Sequence, residues 1–281
     1  MRMLVVGAAG MLGTDLIAAA EGAGHATAGL DLPELDITDA GATLAAVRGF
    51  GPDAVVNCAA WTDVDGAEEH EQRATEINGA GAGNVAAAAA DAGALVVQLS
   101  TDYVFDGRAS EPWTESSPTN PQSAYGRSKL AGEVEVTRRG GAAYAIVRSA
   151  WLFGPHGRNF VDTMLRLGAE RDEVAVVDDQ VGCPTYTGHL ATALVEVAER
   201  RLTGVMHLAG GGSCSWYDLA VAAFARTETA CTVRRQSTAE LGRPAPRPAY
   251  SVLRSERGDV PRLPHWEAGL GAYLAASRAI A

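Results

Sequence analysis

Short, continuous apolar runs alternate along the chain with longer stretches in which apolar and small residues return every three to four positions. The apolar runs predict strands over 3–6, 25–30, 54–57, 94–99 and 143–148. The longer, Ala-rich stretches predict helices over 11–21, 39–48, 67–90 and 123–138. Strands that are apolar throughout are buried on both faces, which predicts a parallel sheet with helices above and below it. Beyond Gly154 the pattern loosens. Helices are predicted over 159–167, 187–201 and 215–225, and strands over 174–177 and 204–208. A glycine turn at 210–212 and a Pro/Arg-rich segment at 243–248 complete the pattern, and the latter is expected to be an ordered loop. The expected fold is α/β: a Rossmann-like, doubly wound parallel sheet from residues 1–153 plus about 187–209, with a smaller C-terminal lobe from about 154–186 plus 210–281.

Composition narrows the function classes. Hydrophobic residues make up 47% and charged residues 20% of the 281, a globular balance. The formal charge of -11 repels nucleic acid and anionic lipid, so neither is expected as a partner. Cys58, Cys183, Cys214 and Cys231 form no CxxC pair and match neither a zinc site nor a disulfide framework. Reduced thiols and a cytoplasmic location are expected. The N-terminus runs straight into a strand, so no signal peptide is expected, and the apolar run at 85–90 is too short to span a membrane. The 23 basic residues include a single lysine, Lys129. Arg serves wherever a generic cation is enough, so the lone Lys marks a place where Arg does not suit.

Two stretches carry candidate chemistry. Gly7, Gly10 and Gly13, with Met11 and Leu12 between them, follow the first strand and open the first helix. Gly7 permits the tight turn, Gly10 lets the backbone approach a diphosphate, and Gly13 lets helix and strand pack closely. Asp31, at the end of the second strand, is placed to accept from the adenosine ribose hydroxyls, which favours NADH over NADPH. Asp36 and Ile37 offer a carboxylate and an apolar wall beside adenine, and Cys58, Ala59 and Ala60 offer small residues at a strand tip for the cofactor to cross.

The second stretch is Tyr125-Gly126-Arg127-Ser128-Lys129. On a helix, Tyr125 and Lys129 share a face, where the ammonium is expected to pull the phenol pKa down towards the working range. Ser100 and Thr101 close the preceding strand, and one of the two hydroxyls is expected to polarise a substrate carbonyl. Residue type and spacing do not separate them. His156, His189 and His207 lack metal-ligand spacing and are assigned structural roles. Asn159 and Gln180 offer hydroxyl or phosphate contacts at the start of the smaller lobe, or loop hydrogen bonds instead. Arg243 and Arg247 offer guanidinium forks for a diphosphate, or a solvated face.

The segments GAAGMLG, DITD, NCAAWTDVDGAE, LSTDYVFDG, YGRSKLAGE, VRSAWLFG, DDQVGCPTYTGHLA and RPAYSVL keep their order across nearly the whole chain. On these the chain resembles the extended short-chain dehydrogenase/reductases and, within them, the dTDP-4-dehydrorhamnose reductase family. The resemblance implies NADPH or NADH as cofactor and a dTDP-4-keto-6-deoxyhexose as substrate. It implies Thr101, Tyr125 and Lys129 as the catalytic set, substrate contacts from Val64, Tyr103 and Trp151, and a substrate-binding role for the smaller lobe. It also implies a monomer or homodimer. Some such proteins dimerise around Mg²⁺, but Asp15 alone does not make a magnesium site and no metal is expected. A sugar-nucleotide epimerase or dehydratase of the same group, and a non-catalytic protein that kept the cofactor fold, are the alternatives.

Overall fold

β1 (Arg2–Val6) turns Met3 and Val5 to one side and Leu4 and Val6 to the other, and all four are buried. A strand buried on both faces needs cover on both faces. In the computed structural model, which describes residues 1–280, that cover comes from helices on either side of a six-stranded parallel sheet. Its order is β2 (Ala26–Leu30), β1, β3 (Ala54–Asn57), β4 (Leu95–Thr101), β5 (Tyr144–Ser149) and the strand Gly204–His207. α1 (Met11–Gly22) and the helix Thr187–Glu199 pack together on the Met3/Val5 face, with Leu16, Leu190 and Leu194 in the core. α2 (Ala40–Phe50), α5 (Ala82–Asp91) and α6 (Ala124–Arg139) cover the opposite face through Val47, Val85 and Val136. Each fully buried Leu or Val contributes about 1.5–3 kcal/mol.

The chain winds away from β1 in both directions, towards β2 on one side and β3 on the other. The connections therefore part at the carboxyl ends of β1 and β3 and leave a crevice there, where sheets of this kind bind ligands.

The stretch predicted as one helix over 67–90 is broken. α3 (Val64–Glu69) starts early because the Asp63 carboxylate accepts from the Gly66 amide. His70 leaves helical geometry, α4 (Glu71–Thr75) resumes it, and Glu76–Gly81 forms a π turn before α5. Within the π turn, Asn78 bonds the Trp61 backbone in both directions and donates to Ser128 on α6 at 2.8 Å. That side chain ties three segments together where a regular helix would carry its register past them.

β4 runs two residues beyond its predicted end and so includes Ser100 and Thr101. In the C-terminal part, Glu173–Val177 pairs in parallel with Thr232–Gln236, a strand whose polar sequence TVRRQ gave no apolar period. Trp266–Ile280 adds a further helix. The segment at 243–248 is docked: Ala245 is buried and Arg247 bonds Asp65. No helix among the described residues is long and apolar enough to cross a membrane.

Candidate active site

The crevice opens into a cavity of about 940 Å³, within the range of small-molecule and cofactor sites. Gly7 forms its floor at φ +78°, where a Cβ would stand 2.4 Å from the Ala59 amide nitrogen. A Cβ on Gly13 would meet the Gly7 carbonyl at 2.2 Å. Backbone conformation and close packing both demand glycine here. Gly10 caps α1 with no side-chain acceptor, so amide donors of the first turn face the cavity alongside Met11 and Leu12. Uncapped donors at a helix N-terminus are an anion seat, which suits a dinucleotide diphosphate.

Asp31, Asp36 and Ile37 line one end of the cavity, and Cys58, Ala59 and Ala60 line the crossing over β3. Asp31 accepts from the Ala9 amide at 2.9 Å and from the Leu32 amide at 2.8 Å, so its carboxylate also fixes the glycine turn. Burial pushes the Cys58 thiol up to about 12, which leaves it neutral. Arg73, a residue that spacing gave no reason to choose, lines the same end, 3.8 Å from Asp36. Arg158 and His156 reach the rim from the loop whose Gly157 packs on Met11.

Thr101, Tyr125 and Lys129 come together at the inner end of the cavity. Ser123 accepts from the Gly126 amide and starts α6 so that Tyr125 and Lys129 lie one turn apart on the cavity side. Lys129 is 5% exposed and donates to the Leu99 carbonyl at 2.7 Å. Burial pushes it down to about 8, while the Glu133 charge acts to raise it. The phenol departs from expectation. Tyr125 is pushed up to about 12, first by burial and then by the Asp102 charge, with a Thr101 hydrogen bond as the opposing influence. The ammonium donates one hydrogen to the Leu99 carbonyl, and burial rather than its charge sets the phenol's proton affinity. The expected lowering by Lys129 is therefore corrected: desolvation dominates, and the phenol keeps its proton at neutral pH.

Ser100 and Thr101 face different partners, as adjacent strand residues must. Ser100 donates to Glu133 Oε1 at 2.6 Å, and Arg148 clasps the same carboxylate at 2.9 and 2.7 Å. Both members of this ion pair are buried, with side-chain exposures of 5% and 6%. Burial pushes His207 down to about 4, so its ring is neutral beside Arg148; it sits 3.2 Å from the Trp113 carbonyl. Ser100 is thus bound into the core, and Thr101 is the strand-end residue that lines the cavity together with Tyr125.

Val64, Tyr103 and Trp151 line the outer wall. Trp151 takes a left-handed backbone (φ 51°) and stacks face to face on Trp216 at 3.5 Å. Trp216 lines the cavity too, and only tertiary structure could reveal that stack. Asn159 and Gln180 lie outside the cavity lining, where their side chains make structural hydrogen bonds. Asn159 caps the helix Phe160–Glu170 and donates to the Gly154 carbonyl. Gln180 accepts from Trp216 Nε1 at 3.0 Å and donates to Thr238, so its polar atoms are used in holding the tryptophan. Arg243 and Arg247 both bond Asp65, and Arg247 lines a second cavity of about 270 Å³ that shares Tyr103 with the first. Asp15 accepts from Thr187 and lies 3.4 Å from His156.

Known proteins share this architecture and sequence. Residues 1–279 match the family described as RmlD substrate binding domain. A dTDP-4-dehydrorhamnose reductase of Streptomyces griseus is 42% identical over 278 residues, covering 96% of this chain and 91% of that protein. The crystal structure of a dTDP-4-dehydrorhamnose reductase from Clostridium acetobutylicum superposes with a TM-score of 0.94 at 44% identity, covering 99% of this chain and 100% of the other. That of a dTDP-4-dehydrorhamnose reductase from Bacillus anthracis, in complex with NADP, superposes with a TM-score of 0.95 at 38% identity, covering 98% and 99%.

Proposed function

We propose, from the premise that this chain belongs to the RmlD substrate binding domain family, that it is an NAD(P)H-dependent reductase of the C4 ketone of a dTDP-4-keto-6-deoxyhexose. The observation that carries the reading is the meeting of Tyr125, Thr101 and Lys129 in one cavity with an uncapped glycine turn. When bound, the nicotinamide supplies hydride to the sugar carbon. The protein's part is to orient, exclude water and deliver a proton. Tyr125, held protonated by burial, gives its proton to the ketone oxygen as that oxygen gains charge. Lys129 has two ammonium hydrogens beyond the one on Leu99, and these suit the nicotinamide ribose hydroxyls.

Val64 and Tyr103 border the sugar, and the Trp151–Trp216 stack offers a flat face to the thymine base. The elements of 154–186 and 210–281, which supply Trp216, act as the substrate lobe. The negative charge and four free thiols support a cytoplasmic protein without nucleic-acid or membrane partners, and its assembly is read as monomer or homodimer.

Turnover of NADH and NADPH with dTDP-4-keto-6-deoxyglucose, with and without a 3,5-epimerase, followed by product NMR, tests the reading. Stoichiometric loss of reduced cofactor is expected. Loss only with the epimerase present identifies the rhamnose isomer as substrate. Sugar conversion with no net cofactor loss would replace the reductase with an epimerase or dehydratase that recycles its NAD⁺. No turnover of any kind would leave a non-catalytic protein.

Asp31 also makes a testable difference. Its charge opposes a 2′-phosphate, so Asp31→Ser is expected to shift the NADPH-over-NADH ratio of kcat/KM upward by roughly tenfold, equivalent to about 1.4 kcal/mol. An unchanged ratio would mean that the carboxylate serves only the Ala9 and Leu32 amides.

A further inference from the structure

The adenosine end of the cavity carries opposed charges. Asp31 and Asp36 line it, and so does Arg73. The Leu35 amide donates to the Asp31 carbonyl at 2.9 Å, a tight turn that folds the chain back before Asp36. Asn84 on α5 donates to the Ile37 carbonyl at 3.0 Å and holds the end of this turn against the helices that follow β3. Arg73 lies on α4, four residues before Ile77, and both line the cavity. Its Nη2 is 3.8 Å from Asp36 Oδ2. Among the described lining residues, the other Lys and Arg side chains are Lys129 at the inner end and Arg158 at the rim by Met11. Arg73 is therefore the cation of the adenosine end.

The hydrogen bonds of this end leave the guanidinium free to turn. Asp31 accepts from the Ala9 and Leu32 amides. Asp36 Oδ1 accepts from the Thr38 amide at 2.9 Å and from the Thr38 hydroxyl at 2.7 Å. Neither carboxylate needs Arg73 to hold it in place. At 3.8 Å the contact of Arg73 with Asp36 is too long for a hydrogen bond. Arg73 donates to Glu76 at 3.1 Å, but both side chains are close to half exposed, and an exposed pair of this kind is weak. Leu32 is 67% exposed and lines the same cavity, so this end is open to water. A highly charged group can sit there and keep part of its hydration.

We propose that Arg73 receives the 2′-phosphate of NADPH. The proposal rests on the dinucleotide site of the ketoreductase reading above. Asp31 takes the free 2′-hydroxyl of NADH, and Arg73 leaves Glu76 to take the 2′-phosphate of NADPH. A phosphate monoester is close to doubly charged at neutral pH, and a planar guanidinium offers it two parallel N–H donors. The cation comes from α4 and not from the tip of β2, where Asp31 stands. Arg73 thus offsets the repulsion that Asp31 exerts on the same phosphate.

The test measures binding of 2′,5′-ADP and 5′-AMP, which differ only in the 2′-phosphate, by calorimetry with wild type, Arg73→Gln and Arg73→Lys. Arg73→Gln is expected to weaken 2′,5′-ADP about tenfold and to leave 5′-AMP within about twofold. Arg73→Lys is expected to recover part of the loss, because the charge returns without the fork. Wild-type affinity for 2′,5′-ADP is expected to fall more steeply with salt than that for 5′-AMP, and the difference to shrink in Arg73→Gln.

An Arg73→Gln variant that binds 2′,5′-ADP within about twofold of wild type overturns the proposal. An equal loss for both nucleotides overturns it too, since that is the pattern of a guanidinium stacked on adenine. So does a wild type with no measurable affinity for 2′,5′-ADP. Neither nucleotide reacts, so these outcomes are independent of turnover. A wild type that binds both nucleotides but oxidises no NADPH with the dTDP-4-keto-6-deoxyhexose sinks the ketoreductase reading and leaves the Arg73 result standing.

Discussion

Tyr125→Phe is expected to lower the single-turnover rate by about 10²–10⁴-fold while NADPH affinity stays within about twofold. The substitution removes one oxygen from a half-buried ring that packs edge-on against Tyr103 at 5.4 Å. The ring remains, so the cavity keeps its shape. What is lost is the proton donor at the inner end of the site. Burial and the Asp102 charge hold that proton on the phenol, and the hydroxyl of Thr101 is its polar neighbour. Fluorescence titration with NADPH and stopped-flow reduction separate the two effects. A variant with more than about a tenth of wild-type rate would move the proton donor to another group, with Thr101 the first candidate.

The largest effect on stability is expected at Glu133. Glu133→Gln leaves Arg148 as a buried charge without its partner, which costs about 3–5 kcal/mol. The carboxylate accepts from Ser100 and twice from Arg148, with little solvent to replace them. It also supports the proton on Lys129, so its loss is expected to lower that amine's pKa further. Urea unfolding measures the first effect. Glu133→Leu combined with Arg148→Met is expected to recover most of the loss, because no unpaired charge remains. A cost under about 1 kcal/mol for Glu133→Gln would show that the guanidinium finds water or another acceptor in the core.

The sequence reading succeeded where local chemistry and global fold agree. Met3–Val6 is apolar because it is covered on both faces, and Gly7 and Gly13 are glycine because backbone stands where a Cβ would go. The spacing is silent where a residue answers to distant partners. Asn159 and Gln180 are polar and lie near the right lobe, but a helix cap and a tryptophan ring use their hydrogen bonds. Trp216 enters the site only through its stack on Trp151, 65 positions earlier in the chain. The π turn holds Asn78 between the Trp61 backbone and Ser128, which helical spacing does not record. The sign of the Tyr125 shift turned on burial, which the spacing of Tyr125 and Lys129 does not report.

Lys129 is the sole lysine and it is sunk in the cavity. Within these 281 residues Lys129 is the one side-chain amine for an acylating reagent to find, and it is reachable only through the crevice. Its mass increment therefore becomes a gauge of whether the crevice is filled. By the same reasoning, a tagging system that marks proteins on surface lysines finds no address among these 281 residues.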